Sequence, residues 1–401
     1  MDPGAIKGWC LGGIGAIFVA MVFGFLCLDT KKPGGPQLYA KMIFGEKIAF
    51  FVTWLYWCGA WVCNPILISA SIDYLEQVIG PINVILRFLL EITIIISLTA
   101  LNIKGIKSAG MLETIMVVIK LFPLFLVPIL SFYNINFDNF SQYNNTTNHD
   151  MSYFNIIIQS SMVAFWGFVG LEEGGSITDS IINAKKNVPL AIILGTSFVA
   201  MISLINTICI FGIIPCEQLK DIKAPFAIVL GKILDGSYDK IIGILTFLMC
   251  YGSLNAWILF SGKLSQTAAE ENIFPKFFGK KNINEAPYVS LYIAAIGTII
   301  ILGLLEFTPY KNTMSDFLEM SIIMYVVLYI IAIASYIVFI YKKKRYSVIR
   351  FIIAILAFIF CIIILIFSDY KNFIAVGLVL LTSLPVYYYN THNRNNITTK
   401  S

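Results

Sequence analysis

A glycine-rich segment in the middle of the chain places two carboxylates inside an otherwise apolar stretch. It reads Trp166-Gly-Phe-Val-Gly-Leu-Glu172-Glu173-Gly-Gly and belongs to the apolar stretch 154–178. Glycine weakens a helix, and freed backbone groups are tolerated at membrane depth only beside a cavity. Transporters use helices broken in this way to turn half-helix ends towards a solute. The pattern predicts a broken helix at a binding site; the alternative is a kinked helix with its carboxylates near the cytoplasmic interface.

Two ionisable side chains are the leading candidates for coupling chemistry, because charged groups inside a membrane are costly and are functional by default. Glu172 lies about one turn beyond Trp166, whereas Glu173 points about 100° away and is expected to face solvent or the interface. Lys120 lies well inside the apolar stretch 114–133. The alternative for Lys120 is a side chain that snorkels to the cytoplasmic face.

Aromatic side chains supply a second candidate surface. Tyr56, Trp61 and Asn64 share one apolar stretch, and Trp257 lies in another. Most membrane tryptophans form interfacial belts, but Trp166 stands beside the glycine break and a carboxylate. An aromatic face in that setting suits a cationic organic solute.

The composition requires a membrane-embedded protein. Of 401 residues, 58% are hydrophobic and only 13% are charged, whereas a soluble domain carries about 25% charged residues. The net charge of +5 is spread along loops, which excludes the basic stripe of a nucleic-acid binder. The eight cysteines form no C-x-x-C pair, and there are only two histidines. We therefore expect no metal site, no other cofactor and no hydrolase chemistry.

The apolar stretches predict an all-α polytopic protein in a single domain, 1–401. A spanning helix needs about 20 mostly apolar residues. Eleven stretches meet this condition: 8–28, 48–72, 86–103, 114–133, 154–178, 189–213, 240–262, 287–305, 317–341, 348–368 and 373–389.

Lysine and arginine predict the orientation. One set of alternate loops, together with the C-terminal tail, carries 19 of these residues, and the opposite set carries 8. The positive-inside rule places the 19-residue side, including the C-terminus, in the cytoplasm. An odd number of spans then puts Met1 outside, although Met1–Lys7 contains no signal peptide. This topology favours a preceding helix that is absent from the sequence over an unusual insertion of the first span.

Four segments carry a resemblance to a known family. They are Gly8-Trp9 to Pro33-Gly34-Gly35, Leu55-Tyr56-Trp57 to Asn64, Trp166 to Glu172 with Asn187-Val-Pro189, and Gly252-Ser253 to Trp257 with Ala268 to Phe274-Pro275. The chain resembles the amino acid–polyamine–organocation superfamily almost end to end. Within it, the chain is most similar to the bacterial basic amino acid/polyamine antiporters, which include arginine/agmatine antiporters.

The resemblance implies a fold and a set of roles. The fold is two inverted five-helix repeats plus two further helices, of which this chain would hold helices 2–12, in the bacterial inner membrane and as a homodimer. Trp166 resembles the aromatic that stacks on the substrate guanidinium. The other implied roles are a cytoplasmic-side gate (Tyr56, Glu172 and Trp257), a polar substrate contact (Asn64), small pocket residues (Gly59 and Ala60) and an outer aromatic contact (Phe317).

The chain departs from the family pattern in two places. The first family helix, whose Gly-Ser-Gly break binds the α-carboxylate and α-amine of the substrate, has no counterpart. Lys120 stands where the arginine/agmatine exchanger has a small apolar residue and where sodium-coupled relatives bind their ion. The lysine favours sodium independence and weakens a narrow assignment to arginine/agmatine exchange.

The leading hypothesis is an alternating-access exchanger of basic amino acids or their decarboxylated amines. Its partners would be these small molecules, membrane lipid and, as a candidate coupling ion, protons, with no nucleic acid. The alternatives are a broader proton-coupled amino acid permease and a non-transporting remnant that lost its first helix. An intramembrane enzyme is disfavoured, because Ser253 has no nearby histidine.

Overall fold

The computed structural model describes residues 4–30, 35–141, 153–173, 181–219, 222, 225–234, 239–308, 314–343 and 347–398. These residues form helices and turns, without a strand in the described ranges. The first half contains helices α1 to α7: Gly4–Asp29, Pro36–Phe44, Glu46–Val62, Asn64–Ile79, Val84–Ile103, Ile106–Ser131 and Tyr153–Trp166.

The second half contains helices α8 to α14. Their bounds are Ala184–Ile213, Pro225–Ile233, Asp239–Glu270, Tyr288–Phe307, Met314–Lys343, Val348–Phe367 and Tyr370–Thr398. Single-turn helices lie in the connections, at Asp138–Ser141, Cys216–Leu219 and Lys276–Gly279.

Ten of the eleven predicted spans appear as helices that are long and apolar enough to cross a membrane, counted over the described residues. The exception is the stretch 154–178, where α7 is only 14 residues long. The protein is therefore an all-α, multi-pass membrane protein, and its irregular span is the one in which the sequence predicts a break.

Two helices that the sequence pattern treats as one span meet at a kink. Helix α3 ends at Val62 and α4 begins at Asn64, with Pro65 in the first turn of α4. Proline has no N–H to donate to the preceding turn, so the helix bends there. The combined segment Glu46–Ile79 is the most enclosed span, whereas α14 is the least.

The largest apolar core surrounds α3 and joins it to α1, α12 and α13. A second cluster joins α4, α5, α10 and α11. Helix α7 packs on α1 and approaches α12. Both irregular spans, α3–α4 and α7, therefore lie in the interior of the bundle, where their irregular backbone is shielded from lipid.

Candidate substrate site

The helix break follows Trp166. The amides of Gly167, Phe168, Val169 and Leu171 each donate to a carbonyl three residues earlier, instead of four as in an α-helix. Gly170 has φ of +97°, a left-handed conformation that glycine adopts without steric cost. The predicted break is confirmed; Gly174 and Gly175, the other two glycines of the motif, lie outside the described residues.

Glu172 is buried at this break and has a specific partner. Its side chain is 1% exposed, and Oε2 accepts a 2.6 Å hydrogen bond from the hydroxyl of Tyr329 on α12. That hydroxyl accepts a 3.3 Å bond from the Gly170 amide. Tyr329 therefore ties both the break and its carboxylate to α12. Glu172 thus lies inside the protein at a broken helix.

Tyr56 faces the same carboxylate from α3. It is fully buried and close enough to Glu172 for an electrostatic interaction. Among the described residues its hydroxyl has no hydrogen-bond partner. Its ring packs on Phe260 at 5.1 Å and on Tyr325 at 5.8 Å between centroids. Tyr56 thus presents a free hydroxyl to the carboxylate from within an aromatic wall.

Trp257 closes the cluster from α10. Its ring contacts Tyr325 at 5.8 Å and Phe260 at 6.1 Å. A Cβ built on Gly170 would lie 3.4 Å from the Trp257 ring, so the indole rests directly against the break. The structure therefore brings together Tyr56, Glu172 and Trp257, the three residues that the resemblance groups as a gate.

Trp166 lies at the kink between α3 and α4. Its side chain and that of Ser321 both interact with the Cys63 thiol, and Cys63 is the residue between the two helices. Asn64 follows it and is 1% exposed; in the described part of the chain its Oδ1 has no hydrogen-bond partner. Trp166 and Asn64 are therefore neighbours across two irregular spans.

The other three residues that the resemblance assigns to the pocket are Gly59, Ala60 and Phe317. A Cβ on Gly59 would lie 2.8 Å from Tyr325, so this glycine admits the tyrosine ring, and Ala60 is fully buried in the same core. Phe317 packs against that core near the start of α12. It precedes Tyr325 by eight residues, about 12 Å along the helix, so the structure does not bring it to the gate cluster.

Lys120 forms an ion pair on its own helix. Its Nζ lies 2.8 Å from Oε1 of Glu113, two turns earlier on α6. Glu173 also differs from the expectation of an exposed side chain. Its carboxylate folds back against Gly170 and interacts electrostatically with Glu113 and Lys120. Because this segment is a turn, the helical angle of 100° does not describe where Glu173 points.

Sequence reasoning did not find Tyr325, Tyr329, Glu113 or Asn255. Tyr325 and Tyr329 are four residues apart on α12 and share a helix face, which was the available signal. Glu113 had none, because it lies just outside the predicted stretch 114–133. Its proximity to Lys120 follows only from the continuous helix across residues 106–131.

Arg87 and Glu91, four residues apart on α5, form an ion pair at 3.4 Å. Three further carboxylates surround the same guanidinium, at 2.9 Å for Asp73, 3.4 Å for Glu76 and 3.3 Å for Glu306. This Arg87 hub joins the ends of α4, α5 and α11, which indicates a structural role, and its ion pairs involve neither Glu172 nor Trp166.

A cavity of about 850 Å³ opens between α7 and α12. Its wall includes Met162 and Val163 of α7 and Leu318 and Ile322 of α12. Met162 precedes Trp166 by one helical turn on α7, and Trp166 itself is not among the residues that line the cavity. Its volume lies within the range of small-molecule sites in proteins.

In the part of the chain that the structure describes, ten apolar helices accompany a broken helix with a buried carboxylate, an arrangement typical of polytopic transporters. A family model described as amino acid permease matches residues 4–389, and the chain belongs to this family. Its function is therefore transport.

Bacterial transporters are among its relatives. The chain is 27% identical to a putrescine transporter of Haemophilus influenzae over 337 residues, which are 82% of this chain and 76% of the relative. It is 26% identical to an arginine/ornithine antiporter of Pseudomonas aeruginosa, with 77% and 65% covered. It is 29% identical to a cadaverine/lysine antiporter of Escherichia coli, with 73% and 65% covered. The alignments with the two antiporters thus span just under two thirds of those proteins.

Proposed function

We propose that the protein exchanges basic amino acids, or the amines formed by their decarboxylation, across the membrane by alternating access. The observation that carries the proposal is Glu172, a buried carboxylate held at a helix break by Tyr329 and enclosed by aromatic rings. Relatives named for putrescine, arginine/ornithine and cadaverine/lysine support a cationic substrate. An aromatic and anionic lining suits such a cation.

Trp166 and Asn64 would form the substrate contacts. The Trp166 indole offers a flat face at the kink where the buried Asn64 keeps an amide oxygen without a partner in the described chain. A guanidinium or ammonium group could stack on the indole and donate to that oxygen. The cavity between α7 and α12 would supply a route towards this point.

Tyr56, Glu172 and Trp257 would close the path on the other side of the substrate. The rings of Tyr56 and Trp257 both pack against Tyr325 and Phe260. The Tyr329–Glu172 hydrogen bond crosses from the break to α12. Alternating access requires these gate contacts to separate while the opposite side of the substrate site closes. The contacts to be broken are one hydrogen bond and a set of ring contacts, whose loss costs a modest free energy.

Counterflow in proteoliposomes tests the proposal. Vesicles preloaded with arginine, ornithine, lysine, putrescine, cadaverine or agmatine are each offered labelled arginine or putrescine outside. We expect saturable uptake that depends on a cationic internal solute, with leucine and alanine as inactive controls. Equal uptake with internal leucine would overturn the selectivity for cations.

A broader proton-coupled amino acid permease is the second candidate. The intramembrane Lys120–Glu113 pair favours it, because such pairs occur in proton pathways. Net uptake of neutral amino acids into empty vesicles, driven by an imposed proton gradient and without sodium, would select this function. Absence of uptake under both conditions would contradict both candidate functions.

We further propose the bacterial inner membrane as the location, with a cytoplasmic C-terminus, on the basis of the lysine and arginine distribution. A homodimer is proposed from the resemblance to the antiporters. Light scattering combined with refractive index on the purified protein would measure the mass of the protein within its detergent micelle.

A further inference from the structure

Lys120 and Glu113 form an ion pair inside one membrane helix. The Nζ–Oε1 distance is 2.8 Å, and the two side chains are 20% and 22% exposed. Side chains on a helix lean towards its N-terminus, so Lys120 extends along α6 towards Glu113. A charged lysine in the membrane is costly without an anionic partner, and Glu113 is placed to be that partner.

Two neighbouring helices hold Glu113 in position. Its second oxygen accepts a 3.3 Å hydrogen bond from Nδ2 of Asn255 on α10. Asn255 is fully buried, and its Oδ1 accepts a 3.1 Å bond from Asn102 on α5. The carboxylate is thus the end of a buried polar chain that crosses three helices.

Helix α10 also directs the lysine. Gly252 lies so close to α6 that an added Cβ would approach Met116 to 2.5 Å and the Lys120 Cε to 3.0 Å. Without a side chain at position 252, α10 packs directly on the lysine stem. The stem therefore runs along the interface between α6 and α10, and the ammonium group meets Glu113.

Other ionisable groups also face this pair. Glu173, in the turn after α7, interacts electrostatically with both Lys120 and Glu113, and Glu172 interacts with Glu173. Cys250 faces Lys120 from α10. Of these groups in the described chain, Glu113 makes the direct contact with the ammonium.

We propose that Glu113 is a positioning residue for coupling: it fixes the Lys120 ammonium at the interface between α6 and α10 and, through Asn255, links it to the helix that carries Trp257. The coupling role rests on the proposed transport function, whereas the pairing of Lys120 with Glu113 does not. The two parts are therefore tested by separate measurements.

The first measurement is thermal unfolding of the purified full chain. The contribution of Lys120 is the difference in melting temperature between proteins with Lys120 and with Lys120→Met, in the wild-type and in the Glu113→Gln background. In the wild-type background we expect Lys120→Met to lower the melting temperature, because it leaves the Glu113 carboxylate without its cation. In the Glu113→Gln background we expect no such fall, because the pair is already broken. The charge-swapped double variant E113K/K120E should be more stable than E113K or K120E alone.

The second measurement is the pH profile of counterflow. Glu113→Gln should shift the pH of half-maximal transport, and Glu113→Asp should restore most of the wild-type profile. Glu76→Gln is the matched control, because Glu76 is also 22% exposed and lies near an arginine; it should leave the profile unchanged.

The results separate failure of the inference from failure of the proposed function. Additive effects of Lys120→Met and Glu113→Gln on the melting temperature would overturn the inference without any transport assay. A coupled pair whose loss leaves the counterflow profile unchanged would overturn the coupling role alone. If cation exchange is absent in the wild type, the proposed function and the coupling role fail together, and the unfolding measurement still decides the pairing.

Discussion

The central residue of the site is Glu172, whose surroundings combine burial with one short hydrogen bond. A carboxyl group with its hydroxyl donor Tyr329 and the nearby Tyr56 hydroxyl can change partners without leaving the cluster. A buried carboxylate surrounded by hydroxyl groups is the arrangement that the proposed transport function requires of Glu172.

Trp166 gives the first prediction at the scale of single residues. If its indole stacks on a cationic substrate, Trp166→Leu should weaken binding by about 1–2 kcal/mol, or roughly 5–30-fold. Trp166→Phe should retain part of the affinity. Equilibrium binding of labelled arginine or putrescine to the purified protein measures both changes. An unchanged affinity in a folded Leu variant would remove Trp166 from the site.

Glu172 gives the second prediction. Glu172→Gln keeps the shape of the side chain and an oxygen that accepts from Tyr329, but it cannot release a proton. We therefore expect the pH dependence of counterflow to flatten, as we also expect for Lys120→Ala, without a new requirement for sodium. Tyr329→Phe serves as the control, because it removes the hydrogen bond and keeps the titrating group. Wild-type profiles in both Glu172→Gln and Lys120→Ala would contradict proton linkage.

At the scale of elements, irregular backbone and charge clusters have different tasks. The α3–α4 kink and the turn after α7 bring Asn64, Trp166 and Glu172 together in the interior. The Arg87 hub joins the ends of α4, α5 and α11 to one another. In the proposed transport cycle we expect the central breaks, rather than the hub, to be where the bundle changes shape.

The Arg87 hub gives the third prediction. Glu91 is fully buried and the Arg87 side chain is 14% exposed, so Arg87→Gln leaves a buried carboxylate without its cation. Loss of a buried partner costs about 3–5 kcal/mol. Arg350→Gln is the matched control: its pair with Asp29 is 37% and 30% exposed, and exposed pairs contribute about 0–1 kcal/mol.

Thermal unfolding in detergent compares the two arginine variants. We expect a clear fall in melting temperature for Arg87→Gln and little change for Arg350→Gln. Equal falls in melting temperature for the two variants would show that burial does not determine how much the Arg87 hub stabilises the protein. Counterflow by Arg87→Gln at a permissive temperature should retain the wild-type substrate preference, since the ion pairs of the hub involve neither Glu172 nor Trp166.

At the scale of the whole molecule, the distribution of positive charge predicts which face is cytoplasmic. Ile283 and Tyr133 are 98% and 90% exposed in connections on opposite sides of the predicted topology. In intact cells, a membrane-impermeant thiol reagent should label Tyr133→Cys and spare Ile283→Cys until the cells are opened. Labelling of the wild-type protein measures the background that arises from its own cysteines. Labelling of Ile283→Cys but not of Tyr133→Cys in intact cells would show that the orientation is the opposite one.

The membrane class, ten of the eleven spans and the break after Trp166 could be read from the sequence. Spans depend on local composition, because about 20 apolar residues in a row have no other stable place than lipid or a protein core. The break was readable because Gly167 and Gly170 weaken a helix locally. The resemblance also placed Tyr56, Glu172 and Trp257 together.

Only the tertiary structure decided the partners of the charged groups. Tyr329 meets Glu172 from 157 residues away, and Asn255 meets Glu113 from 142 residues away; neither distance leaves a periodic signal in the chain. Glu173 was placed outside because a helical angle was applied to what is a turn. Contacts between helices depend on how their faces pack, and a hydrophobic pattern fixes which face turns inward without fixing which residue it will meet.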